Sequence, residues 1–125
     1  MSLPTPIAAF LLGLFTISST ALAQETPEEL SDQLVIALTA NKESSFKTLW
    51  DAGKWSKSAD NDGYGLYSQA QRKKFVLSQH AIQTQKDRAF VIMDITVQGV
   101  VRDRIFLHAT ASKGTWKFRS IHESP

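Results

Sequence analysis

Two side chains of this sequence, Asp103 and His80, have the types that general acid–base chemistry needs, provided the strands carrying them turn both toward one apolar face. A carboxylate against an apolar wall has its pKa raised toward the working range of a general base, and an imidazole beside it can orient it or share its proton. Asp51 is a further carboxylate available to such a pair. The alternative places Asp103 near the open end of a sheet, paired with a neighbour or water, and makes His80 a satisfied interior histidine. One perturbed pair is suggestive rather than diagnostic, so the non-catalytic reading is preferred. The sequence holds no G-x-S-x-G, no H-E-x-x-H, no glycine-rich phosphate loop and no cysteine. His80, His108 and His122 are too scattered to be read as a metal site, and no cofactor is expected.

The elements that must position these residues are β-rich runs separated by turn residues. Successive side chains on a strand point to opposite faces. In the run beginning at Arg88, this puts Val91, Met93, Ile95 and Val97 on one face and Phe90, Ile92, Asp94 and Thr96 on the other. The next run offers Val101, Asp103, Ile105, Leu107 and Ala109 against Arg102, Arg104, Phe106 and His108. A three-residue loop with a bulge at Gly99 aligns Val101, Ile105 and Leu107 with the first apolar set and sets Asp94 opposite Arg102 or Arg104, a favourable cross-strand pair. A four-residue hairpin over Ala111-Ser112-Lys113-Gly114 then brings Trp116 and Phe118 beside Ala109 and Leu107. Upstream, Phe75 to Gln85 reads as the first strand. With a tight turn at Lys86-Asp87, Val76, Ser78, His80, Ile82 and Thr84 join the apolar face, so His80 is expected near Met93; a turn one residue longer reverses this. The opposite, outer face then carries Phe90, Ile92, Phe106 and Ile121 among Asp94, Arg102, Arg104 and Arg119.

Helices precede the strands. Thr26 is a capping residue, Pro27 suits the first helical position and Glu29 completes a capping box. The helix runs to about Ala40 with Leu30, Leu34, Ala37 and Leu38 as its apolar stripe. A second helix, Glu43 to Ala52, presents Phe46, Leu49 and Trp50, and Leu66 to Lys74 reads as a third. Between them Ser58, Asp60, Asp62 and Gly63 fall at the first, third, fifth and sixth positions of a calcium loop. Ser58 stands where Asp is needed and Gln69 where the bidentate Glu should be, so a solvated loop is expected and no metal.

The opening 23 residues carry no charge, run apolar from Ile7 to Ile17 and end in Ala21-Leu22-Ala23, the small-x-small pattern of a signal-peptidase site. The apolar run is shorter than the roughly 20 residues a bilayer span needs. Residues 1–23 are therefore expected to be a signal peptide, residues 24–125 a single domain, and the location periplasmic or secreted, without a stable membrane anchor. The absence of cysteine removes disulfides and thiolate metal sites. A net charge of +2 spread along the chain gives no nucleic-acid footprint.

The order is helix, short helix, loop, then an antiparallel meander of four or more strands ending in Trp116-Lys117-Phe118-Arg119-Ser120-Ile121. In element order and in that closing segment, residues 26 to 123 resemble the NTF2-like superfamily, the cone-shaped α+β roll. A cystatin-like sheet on one helix is the nearest alternative. The resemblance implies a curved sheet round the first helix, a cavity at its open end, and frequent dimerisation through the outer sheet face. Enzymes of that fold use an Asp base or an Asp–His pair, though no family active-site residue maps onto Asp103 or His80. The expected function is a small exported, non-catalytic binding or accessory domain. It would take a small apolar ligand in the cone, or a protein partner or second copy on the outer face. The alternative is a small lyase or isomerase acting through Asp103 with His80.

Overall fold

Helix α1 (Pro27–Thr39) opens the computed structural model, which describes residues 24–57 and 62–123. Thr26 Oγ1 accepts from the Glu29 amide at 3.1 Å, and the Glu29 carboxylate accepts in turn from the Glu25 amide at 2.8 Å. The capping box therefore closes one residue earlier than its usual form. Asn41, in the left-handed region at φ 60°, stops the helix; the Lys42 and Asn41 amides then reach the Ala37 and Leu38 carbonyls, the paired bonds of a Schellman end. Leu30, Leu34, Ala37 and Leu38 are all buried, as the stripe predicts.

Helix α2 is shorter than its pattern suggests, Glu43–Lys47, because the chain turns at Thr48 and passes through a 3₁₀ turn at Ala52–Lys54. This break lets residues 49–51 run along the last strand. Phe118 donates to the Leu49 carbonyl and accepts from the Asp51 amide, each at 2.9 Å. Helix α3 (Gly63–Lys73) starts earlier than the periodicity indicates. Asp62 is its cap, with Oδ1 accepting from the Gly65 amide and Oδ2 from the Ser56 amide, so both oxygens of this calcium-loop position are in structural use. Ser58 and Asp60 lie outside the described residues, as does the whole leader expected over residues 1–23. No helix among the described residues is long and apolar enough to cross a membrane.

The strands β1 (Val76–Gln85), β2 (Arg88–Val97), β3 (Val100–Ser112) and β4 (Thr115–His122) form one antiparallel sheet in sequential order. The protein is thus α+β, with helices packed against a four-stranded meander. All three hairpins turn in two residues, where Lys86, Gln98 and Lys113 take positive φ and glycine follows the last two. The three-residue loop expected at Gly99 and the four-residue hairpin at residues 111–114 are both tighter than that.

Register is instead corrected inside the strands by three bulges, which leave His80, Arg102 and Arg119 without a direct partner. Each bulge exchanges the faces of every residue beyond it. On β1, Ile82 and Thr84 face inward as expected, but past His80 it is Leu77 and Gln79 that do so, not Val76 and Ser78. Ser31, on α1, confirms this by donating to Gln79 Oε1 at 2.7 Å. On β3, Met93 and Val91 meet Ile105 and Leu107 as expected, whereas Val101 pairs with Thr96 on the outer side. On β4, Trp116 and Phe118 pair with Ala111 and Ala109, and the bulge then turns Ile121 inward, opposite Leu107. The core between α1, α2, α3 and the inner face is filled: Leu30, Leu34, Phe46, Val91, Met93, Leu107 and Phe118 are fully shielded from solvent.

Candidate functional site

The outer face is a grid set by strand register. Gln85, Arg88, Thr110 and Lys117 form one row; Gln83, Phe90, His108 and Ser120 the next; then Ala81, Ile92, Phe106 and His122; then Ser78, Asp94 and Arg104. Phe90, Ile92, Asp94, Arg104 and Phe106 therefore share this face, as alternation indicates. Ile92 is 5% exposed although it lies outside the main core, so its outer-face neighbours already cover it, while Phe90 and Phe106 stay half-buried.

Three expected members of the outer set stand elsewhere. Ile121 packs inward because of the bulge before it, and Arg102 and Arg119 are the bulged residues themselves, both exposed. The acid–base pair does not converge either. His80 is on the outer face, where Arg104 Nη2 lies 3.2 Å from its Nδ1 and Asp94 Oδ2 lies 3.7 Å away. Arg104 can only donate, so in that contact His80 Nδ1 is the acceptor. Asp103 belongs to the inner-face register opposite Ile95, but at an exposed stretch of β3 beyond the end of β4. Its Oδ1 accepts from the Arg104 amide at 2.8 Å, which satisfies backbone that has no neighbouring strand there. Asp51 is tied by its amide to Phe118, a different region of the sheet.

Arg104 and Asp94 make a 2.8 Å ion pair through Nε, so the centre of the outer face is internally neutralised. The end of the face nearest the Lys86-Asp87 turn is different. There a cleft of about 690 Å³ is lined by Gln83, Gln85, Arg88, Phe90, His108 and His122 of the outer face, together with Thr84 and Ala89 of the inner-face register. The Phe90 ring lies 5.3 Å from the His108 ring and 6.1 Å from that of His122, the second nearly perpendicular at 80°. Ser120 Oγ is 2.8 Å from His122 Nε2 and holds that ring in place. Arg88 has no carboxylate partner among the described residues.

Burial lowers the His108 pKa from its ordinary value of 6.5, and the positive charges of Arg88, His122 and Arg119 lower it further. A histidine whose pKa is depressed on folding binds its proton more readily in the unfolded chain, so its contribution to stability is complete above 6.5 and is lost as pH falls toward the lower folded value. Between pH 7.5 and 5 the wild-type melting temperature is expected to fall more than that of His108→Gln. Parallel melting curves for the two proteins across that range would contradict the assignment.

Among the described residues no group of three His, Cys, Asp or Glu side chains is placed to hold a metal ion. Sequence reasoning put His108 on the outer face but missed Arg88, Gln83 and Gln85, although Arg88 is simply two residues before Phe90 on the same strand face. His122 could not have been found by alternation, since the Arg119 bulge sets its direction. Comparison with protein-family models, with curated proteins and with solved structures finds no match.

Proposed function

We propose that this chain is a small exported binding domain, without chemistry of its own, whose ligand sits on the outer sheet face around Phe90. The carrying observation is the cleft itself, in which half-buried aromatic surface adjoins Arg88, two imidazoles and two amides, with no neutralising carboxylate among the described residues. Small-molecule sites combine apolar walls with a few convergent polar groups in this way. The reading favours the outer face over a ligand in the cone because fully shielded side chains fill the space between α1 and the sheet. It disfavours a lyase or isomerase because Asp103 and His80 lie on opposite faces and each is engaged by Arg104.

Within the α+β class we read the fold as an NTF2-like roll, on the element order and the Trp116 to Ile121 closing strand; superposing an experimental structure on that fold tests it. Export rests on the Met1 to Ala23 pattern, with a mature chain expected to begin at Gln24; mass spectrometry that finds Met1 to Ala23 retained would count against it. A second copy docking on Phe90 and Phe106 is the alternative use of the same face.

The binding reading is tested by a thermal-shift screen of small molecules, since a ligand that binds only the folded state raises its melting temperature. Compounds that stabilise the wild type are expected to lose their effect on Phe90→Ser and to keep it on Val76→Ser, which alters the same face outside the cleft. Equal stabilisation of both variants would contradict the location.

A further inference from the structure

Resting on the outer-face reading above, we infer that the Phe90 cleft selects a planar aromatic ligand bearing a carboxylate. The charge of the cleft comes from one side only. Arg88 lines it, the imidazoles of His108 and His122 flank it, and the charges that act on His108 are all positive: Arg88, His122 and Arg119. Elsewhere on this face Asp94 has already taken Arg104, whereas Arg88, which lines the cleft, has no carboxylate partner among the described residues. A guanidinium offers a planar fork of N–H donors that matches the two oxygens of a carboxylate. A cationic ligand would meet Arg88 unfavourably.

The ring geometry supplies the second requirement. Phe90 and His122 stand nearly at right angles, with His108 tilted by 40° to Phe90, so the walls are flat π surfaces rather than branched aliphatic ones. An arene can stack on one and meet the edge of another at ordinary aromatic spacings. An aliphatic acid would satisfy Arg88 and leave these ring faces in water. The volume of about 690 Å³ is within the range of small-molecule sites, and Gln83 and Gln85 place amide donors and acceptors on the β1 side for polar substituents.

The test is calorimetric titration of the purified protein with three probes of one shape: 2-naphthoate, 2-naphthamide and 2-naphthylmethylammonium, at pH 7.5 and low salt. Hydrogen bonds to a charged group are stronger than those between neutral groups, so 2-naphthoate is expected to bind at least about tenfold more tightly than the amide. Arg88→Gln, an exposed position that leaves the core untouched, should reduce naphthoate affinity about tenfold and leave the amide within about twofold. Naphthoate and naphthamide binding equally well, or the ammonium binding best, would overturn the anion preference while leaving the outer-face reading intact. Binding of naphthoate that is unaffected by both Arg88→Gln and Phe90→Ser would overturn the site. Absence of binding by all three probes would overturn the ligand class, and the outer-face reading would then be judged by the thermal-shift screen alone.

Discussion

Phe118→Ala is expected to destabilise the protein by about 3–5 kcal/mol, the usual cost of truncating a fully buried aromatic. Phe118 has no exposed surface, and its ring centroid lies 5.3 Å from that of Trp50. The cavity left behind would be slow to collapse because the backbone there is pinned on both sides. Phe118 pairs with Ala109 across β3 and is bonded to Leu49 and Asp51 on its other edge. A domain of this size has a total stability of about 5–15 kcal/mol, so the variant should sit near the limit of folding. Urea denaturation reads the effect as a lower midpoint at unchanged slope. Should the alanine variant fail to fold, Phe118→Leu gives a smaller loss of the same sign. Phe106→Ala is the contrast: one position from buried Leu107, it lies half-buried on the outer face and should cost clearly less. Equal losses at the two phenylalanines would show that the sheet faces have been assigned wrongly.

Gly63→Ala is expected to destabilise by about 1–3 kcal/mol, the range for overpacking a filled core, although its local environment points the other way. Gly63 is the first residue of α3, where replacing glycine by alanine ordinarily favours the helix by up to about 1 kcal/mol. The space decides the sign. A Cβ at Gly63 would lie 2.5 Å from Trp50 Cδ2 and 2.6 Å from Cγ, closer than such atoms approach. Trp50 cannot yield easily, since it is 2% exposed with Phe46 and Phe118 on either hand. Gly53→Ala, with nothing within 4 Å of its would-be Cβ, should be neutral or slightly stabilising. If the Trp50 clash is the cause, Gly63→Ala should cost less in a Trp50→Leu background, a coupling measurable by a double-mutant cycle. Identical melting temperatures for Gly63→Ala and the parent would remove the close contact from the account.

Much of this architecture was legible because local signals and burial agree. Thr26, Pro27 and Glu29 mark the start of α1, its stripe of four apolar residues marks its buried side, and alternation places Val91 and Met93 inward and Phe90 and Ile92 outward. Alternation failed at His80, Arg102 and Arg119, for a physical reason. A bulge adds one residue to one strand, and any exposed polar side chain can occupy it, so residue type gives no warning. The consequences lie beyond each bulge: His80 meets Arg104 rather than Met93, Val101 moves outward and Ile121 moves inward. The proposed Asp103–His80 pair depended on uninterrupted counting through two of these three strands. The Trp50 and Gly63 contact was hidden too, since residues thirteen apart across a turn share no periodicity.

The most direct test of outer-face binding is one spectrum that observes both sides of the sheet, with imidazole signals of the histidines and the methyl signal of Met93 recorded as the best stabilising compound from the screen is added. Met93 is fully buried on the inner face, His108 and His122 line the cleft, and His80 lies farther along the same outer face. The account predicts progressive shifts at His108 and His122, a smaller change at His80 and a stationary Met93 methyl. Movement of the Met93 methyl with His108 and His122 unchanged would contradict it and place the ligand inside the fold.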